Sequence, residues 1–413
     1  MKNIFSGLLR NFRKDPSAYR FGLFVAFLFI VIFVFENINH RFWLTDFRVY
    51  YDAAKAMISG KPVYFVVFDQ GSGIYKYSPV ILFFFLPYCI FSYKVAAILH
   101  FAVLSFIIGY AFVVIRKILT EHLFSGKVRN EGLLMSFAFI CILIHVVKEL
   151  HLGNINSVLL LLCCLALRSF LAKRNFTGGI LFGIILLTKP FFLILGLPLL
   201  LRRNLKSLAG AAGTLVAGFI LPLLILGISR GSALHAEWMK TLFFHQESYA
   251  SVNNLFYILQ HLFFPSIPDY FRFVIIALTG LAVSGFVTSN LRTEKKHINI
   301  PGMTSGNFII EWFLLIALIP DLVNTDSEHF LASAPVITFL IYTIQVKRQY
   351  WFIPLLIILI FFYGANSNDL LGDDLSNKLY ALGLIGISNL FLVLSAFLFY
   401  LDLRRETIIS TNG

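Results

Sequence analysis

Charge is scarce in this chain: 13% of its 413 residues are Asp, Glu, Lys or Arg, about half the ~25% usual in soluble domains. That shortage excludes an ordinary water-facing globule. Cysteine is scarce too, and Cys89, Cys141, Cys163 and Cys164 lie in apolar runs without the spacing of a disulfide framework or a metal cluster. They read as packing residues and say nothing of redox compartment. No HExxH or similar metal pattern occurs, no internal repeat is visible, and no stretch is low in complexity. A small-residue cleavage site is missing from the N-terminal region. There Lys2, Arg10, Arg13, Lys14 and Arg20 precede the apolar run Phe21 to Phe35, and Glu36-Asn37-Ile38-Asn39 follows it. The expectation is an uncleaved first transmembrane helix with its N-terminus in the cytoplasm.

Apolar residues are what the chain has in excess: 58% of the sequence, including 46 Phe, with a mean hydropathy of +0.82. One or two water-facing cores cannot hold that much, so the solvent for most of the chain is lipid. The predicted fold class is an all-α polytopic membrane protein, with residues 1–413 as a single integral membrane domain. The net charge of +13 is then read as the positive-inside excess of a multi-pass protein. Membrane lipids, and no nucleic acid, are the expected surroundings.

Apolar runs near 19–36, 79–93, 95–115, 132–147, 155–172, 177–201, 205–228, 270–290, 308–320, 329–346, 350–363 and 378–402 give ten to twelve expected spans. Polar interruptions at 40–78 and 229–269 read as two large outer loops. A strict twelve-span path would put the basic loops with Arg116, Lys117, Lys127 and Arg129, and with Arg168, Lys173 and Arg174, outside. If 79–93 and 177–201 enter and leave on one side, both loops and both chain ends become cytoplasmic. Pro190 supports this path, because it disfavours helix at Lys189 and so predicts two half-helices meeting there.

The first outer loop carries the clearest chemistry. Phe47, Tyr50, Tyr51, Ala54, Met57 and Ile58 recur at three- and four-residue spacing, and Gly60 followed by Lys61-Pro62 is a stop. The spacing predicts a helix of about fourteen residues, too short to span, lying along the membrane surface, with Thr45 or Asp46 as its cap. Asp46 sits one turn from Tyr50 at the positive end of that helix. It is either an N-cap or a carboxylate that takes a proton from a hydroxyl. Lys76 and Tyr77, before Pro79, read as interfacial anchors or as a cation and an aromatic at headgroup depth. Asn154 and Asn156, after Gly153, offer amides to sugar hydroxyls, or Asn154 is only the cap of the next helix. Lys189, a lysine inside an apolar segment, either snorkels or meets an anion. Asn253 and Asn254 stand on a polar, uncharged, aromatic stretch, and Asn324-Thr325-Asp326-Ser327-Glu328-His329 brings two carboxylates and an imidazole between two spans. Other intramembrane carboxylates are few, Glu311 and Glu149 among them, fewer than an ion-driven transporter would carry.

In this order the clusters resemble glycosyltransferase family 87, membrane mannosyltransferases of the GT-C class that use polyprenyl-phosphate mannose. The matching pieces are Asp46-Phe47-x-Val49-Tyr50-Tyr51-x-Ala53-Ala54 with Gly60-x-x-x-Tyr64, Tyr75-x-Tyr77-x-Pro79, and Gly153-Asn154-x-Asn156. Further along come Lys189-Pro190, Leu200-Leu201-Arg202-Arg203, Asn253-Asn254-Leu255 and Glu328-His329. The resemblance implies a GT-C-type fold and an inverting transfer of a hexose, mannose, from a polyprenyl-phosphate donor to a lipid-linked or glycan acceptor. It places this reaction on the outer face of the cytoplasmic membrane. Asp46 takes the place of the catalytic base. Lys76, Tyr77, Lys189, Glu328 and His329 fall to the donor phosphate, and Tyr50, Asn154, Asn156, Asn253 and Asn254 to sugar or acceptor. Phe330 and Ser327 depart from the family pattern around His329. Nothing resembles the Asp-x-Asp pair of nucleotide-sugar enzymes, so no metal or other cofactor is expected. A lipid or glycan flippase is the alternative, and it would not need a carboxylate on a surface helix.

Overall fold

The computed structural model describes residues 15–68, 73–244, 252–297, 302–323, 326–364 and 368–412. Lys2, Arg10, Arg13, Lys14, Asn324 and Thr325 lie outside them. The described chain is helical, and among its residues β pairing is limited to an isolated antiparallel bridge between Val67 and Ile74. Among the described residues, seven helices are long and apolar enough to cross a bilayer: Pro16–Ile38, Tyr93–His122, Leu205–Leu226, Phe271–Lys296, Met303–Leu322, Ser327–Lys347 and Leu384–Ile409. An eighth span is formed if Glu131–Cys141 and Leu143–Leu152, which meet at a 64° bend, cross together. Shorter apolar helices cover Asn156–Leu171, Asn175–Thr188, Pro190–Leu201 and Tyr350–Gly364. The chain is therefore an all-α polytopic membrane protein.

Two of the expected runs differ in form. Residues 79–93 make no long helix but two 3-10 turns, Pro79–Phe84 and Leu86–Ile90. Pro87 lacks the amide hydrogen that a continuing α-helix would direct back to Phe83, so the path is interrupted there. Run 177–201 breaks where Pro190 predicts: the Asn175–Thr188 helix ends, Lys189 is extended at φ −136°, and a 3-10 turn begins at Pro190. The second large interruption is itself largely helical, as Ile228–Phe244 and Leu255–Leu262.

The chain gathers into two compact units, one of Met1–Asn39, Ile107–Val147 and Ser251–Gly413, the other of His40–Phe106 and Lys148–Ala250. In the first, Met303–Leu322 packs against Phe271–Lys296, Ala334–Lys347 and Leu384–Asn412. Two of its buried charges are tied: Arg116 meets Asp15 and, at 2.8 Å, Glu131, while Glu311 accepts from Asn290 Nδ2 at 2.8 Å. Asp15 also caps its helix by accepting from the Ala18 amide at 3.1 Å. Burial pushes the Asp15 carboxyl up, but Arg116 and the Ala18 amide outweigh it and hold the group below the usual carboxylate range.

In the second unit the closest packing is between Asn175–Thr188 and Leu205–Leu226. A Cβ added at Gly179 would stand 2.1 Å from the Ser207 carbonyl oxygen, and one at Gly210 2.4 Å from that of Phe176. With no hydrophobic drive between helices in lipid, such close approach of backbones through small residues supplies the dispersion contact that joins them. The partnership fixes the end of the Asn175–Thr188 helix, and with it Lys189.

Candidate functional site

The predicted surface helix forms, over Thr45–Ile58, and stops at Ser59 before Gly60, whose φ is +72°. Neither Thr45 nor Asp46 caps it. The N-cap is Leu44, in the left-handed region at φ 47°, and Asp46 lies in the first turn. Its carboxylate is turned to another partner: Asn154 Nδ2 donates to Asp46 Oδ2 at 2.7 Å.

Gly153 makes that contact possible. It sits at φ +66°, and a Cβ there would stand 2.8 Å from Leu44 Cδ2 and 2.9 Å from Phe47 Cβ, so only glycine lets this turn lie against the start of the helix. Its carbonyl is held by His100 Nε2 at 3.0 Å. A carbonyl only accepts, so Nε2 carries the hydrogen. The His100 ring is stacked on Phe47, with centroids 4.1 Å apart and planes 13° apart.

Asn154 does not cap the Asn156–Leu171 helix, whose N-cap is Ile155 without a side-chain bond. Its Oδ1 accepts from the Ile155 amide at 2.7 Å, from Tyr50 at 3.1 Å and from Tyr77 at 3.4 Å, and the two phenols stand 3.1 Å apart. With donors crowding the oxygen, the amide's NH2 faces Asp46. Burial, with Tyr77 and Asp46 beside it, raises the Tyr50 phenol well above its ordinary value, so Tyr50 remains a donor at any working pH. The 75–78 segment is fixed by other phenols: Tyr64 donates to the Tyr77 carbonyl at 2.7 Å and Tyr75 to that of Ser78 at 3.0 Å.

Two residues along, Asn156 serves a second charged group. Lys189 Nζ donates to Asn156 Oδ1 at 2.6 Å and lies 5.9 Å from the Tyr77 ring centroid. Asn156 Nδ2 donates to Glu149 Oε2 at 3.0 Å, and the Ser157 amide to Glu149 Oε1 at 2.7 Å. Lys189 is only 6% exposed and Glu149 is fully buried. Snorkelling does not describe this lysine, whose ammonium is met by a protein acceptor inside the unit.

Asp46, Tyr50, Tyr77 and Asn154 thus form one hydrogen-bonded cluster, and Lys189, Asn156 and Glu149 form a second, two residues along the same turn. Lys76, half-buried, belongs to the same unit. The remaining predicted residues lie in the other unit. There Glu328 is buried with Oε1 3.4 Å from His329 Nδ1, Asn254 caps the Leu255–Leu262 helix by accepting from the Tyr257 amide at 2.7 Å, and Asn253 is fully buried. Sequence reasoning left Glu149 out of the site, although a carboxylate at the end of one apolar run and a lysine inside another were the available signal. Among the described residues no group of three or more His, Cys, Asp or Glu stands close enough together to hold a metal ion.

The arrangement sets a carboxylate able to accept a proton and a buried cation able to meet an anion on a single turn, Gly153 to Asn156. An alpha-(1->3)-arabinofuranosyltransferase of Corynebacterium glutamicum is 26% identical over 202 residues, 46% of this chain and 45% of the relative. The chain therefore spans about half the length of the curated relative it matches. No solved structure matches it. The profile of glycosyltransferase family 87 matches residues 75–304, more than half of the sequence, and the chain belongs to that family.

Proposed function

We propose that the protein transfers a hexose, mannose, from a polyprenyl-phosphate donor to a lipid-linked or glycan acceptor on the outer face of the cytoplasmic membrane. One observation carries this reading: Asn154 holds Asp46 and Asn156 holds Lys189, so a base and a cation are presented together from one turn. Asp46 removes the proton of the acceptor hydroxyl as its oxygen bonds to C1 of the sugar. The bond from C1 to the phosphate oxygen breaks with inversion, and the lipid phosphate leaves with the electron pair. Lys189, with Lys76, meets the charge that develops on it. Glu328 and His329 enter the proposal by resemblance alone.

The leaving group is already a phosphate and its charge is met by lysine, so the reaction is proposed to run without a metal. Full activity in excess chelator is expected; a loss restored by a divalent ion would contradict it. The relative is an arabinofuranosyltransferase, which favours a second donor sugar, arabinofuranose.

The test is transfer from radiolabelled polyprenyl-phosphate mannose, and in parallel from polyprenyl-phosphate arabinofuranose, to a membrane extract by purified wild type and Asp46→Asn. Wild-type transfer from one donor, reduced about 10²- to 10⁴-fold in the variant, fixes the sugar and the base. Equal transfer by both proteins removes Asp46 from the mechanism. No transfer by a folded wild type makes the flippase reading the better one.

A further inference from the structure

Glu149 has no part in the mechanism above, yet it is fully buried on the Leu143–Leu152 helix, where a carboxylate is costly unless its oxygens are engaged. Both are engaged on the next helix. Oε1 accepts from the Ser157 amide at 2.7 Å, and this supplies from outside the cap that Asn156–Leu171 lacks, at the helix end where a negative charge is favoured. Capping alone would leave the second oxygen for any donor. It is given to the side chain of Asn156, at 3.0 Å from Nδ2.

That choice has a direction. A carboxylate only accepts, so it compels the amide's NH2 to face it, and the amide's oxygen is turned to the opposite side. On that side Lys189 Nζ donates to it at 2.6 Å. The reversed amide would set oxygen against carboxylate and NH2 against ammonium, unfavourable at both ends. A neutral side chain at 149 could offer an NH2 of its own and let Asn156 turn over. The sense of the amide, and the place of the lysine head, are therefore set by the charge of Glu149. The other end of Lys189 is fixed by the break before Pro190.

We propose that Glu149 is a positioning residue of the donor site: through the Asn156 amide it holds the Lys189 ammonium where the donor's phosphate binds. Asn156 is then a link between two charged groups rather than a sugar ligand. This rests on the proposed polyprenyl-phosphate donor.

The test reads the binding of polyprenyl phosphate, the leaving product, to the purified full-length protein by intrinsic fluorescence, with each variant first shown to elute as a single species. Glu149→Gln, Asn156→Leu and Lys189→Met are each expected to weaken binding about tenfold, as broken contacts in one network do. Glu149→Gln/Lys189→Met and Asn156→Leu/Lys189→Met should be no weaker than Lys189→Met alone, and Glu149→Asp should recover part of the loss. A purely structural cap predicts otherwise: Asn156→Leu leaves the Ser157 bond in place and would bind like the wild type. That result, or losses that multiply to about a hundredfold in the double variants, overturns the positioning role alone. A folded wild type that binds no polyprenyl phosphate overturns the donor reading, and this role with it.

Discussion

Asn154 holds Asp46 across 108 positions of sequence, donating from Nδ2 to Oδ2 at 2.7 Å while Tyr50 and the Ile155 amide occupy its oxygen. The carboxylate proposed as the base is therefore aimed by a neighbour whose own orientation is fixed. Replacing Asn154 by Leu leaves Asp46 in place but unaimed, and kcat should fall by about 10- to 100-fold with a smaller change in KM, because orientation of a base is felt in the transition state. Asn154→Asp should act differently. A second negative charge beside the base disfavours its ionisation, so the rising limb of the pH–rate profile should move to higher pH. A profile unmoved in Asn154→Asp would disconnect the two residues.

Gly153 is the hinge of the same geometry. Alanine there must hold φ +66° and place its Cβ under 3.0 Å from both Leu44 and Phe47. The left-handed conformation alone costs roughly 1–2 kcal/mol, and the clash pushes the turn away from the Thr45–Ile58 helix. Gly153→Ala should lower the melting temperature by several degrees and reduce turnover beyond what the unfolded fraction explains. Alanine at Gly285, which has open space around it, is the matched control and should leave both near wild type.

Much of this was legible in the sequence where local rules decide. The Thr45–Ile58 helix follows from its apolar spacing and the Gly60 stop, and the break at Lys189 follows from Pro190. What was not legible depends on partners far along the chain. Asn154 beside a helix start looks like a cap, and only the arrival of Asp46, Tyr50 and Tyr77 from 77 to 108 positions away makes it a connector. Asp46 looks like a cap for the same reason, until Leu44 takes that position in the left-handed region. Hydropathy also overstated 79–93, since it counts apolar residues and not the missing amide hydrogen of Pro87.

The buried phenols give the protein an alkaline limit. Burial first, with neighbouring Tyr77 and Asp46 for Tyr50, Glu237 for Tyr64, and Tyr64 and Tyr77 for Tyr75, raises all three well above the ordinary value. In the unfolded chain they ionise near pH ~10. A group raised on folding lends stability in full below its unfolded value and loses it as pH climbs past that toward the folded one. The melting temperature in detergent should therefore hold between pH 7 and 9 and fall above about pH 10. Tyr75→Phe, which removes one such phenol and its bond to Ser78, should lower the temperature at pH 7 but shallow the alkaline slope. An unchanged slope would show that Tyr75 ionises alike in both states.

A single span separates the Thr45–Ile58 helix from the first strongly basic loop, and this makes orientation testable. Tyr93 opens the Tyr93–His122 helix and donates to the Trp43 carbonyl at 2.6 Å, just before the Thr45–Ile58 helix. Thirty residues later the helix ends, about 45 Å away at 1.5 Å per residue, more than the ~30 Å of a bilayer's hydrocarbon. Ser125 follows, among Arg116, Lys117, Lys127 and Arg129. Short loops dense in Lys and Arg favour the cytoplasm, so Ser125 should be cytoplasmic and exposed Ser59, at the end of the Thr45–Ile58 helix, should be outside. With half-buried Cys89 replaced, a membrane-impermeant maleimide added to intact cells should label Ser59→Cys at once, and Ser125→Cys only after the membrane is opened. Labelling of Ser125→Cys from outside would reverse the path and put Asp46 on the cytoplasmic face, where an outward transfer could not be its work.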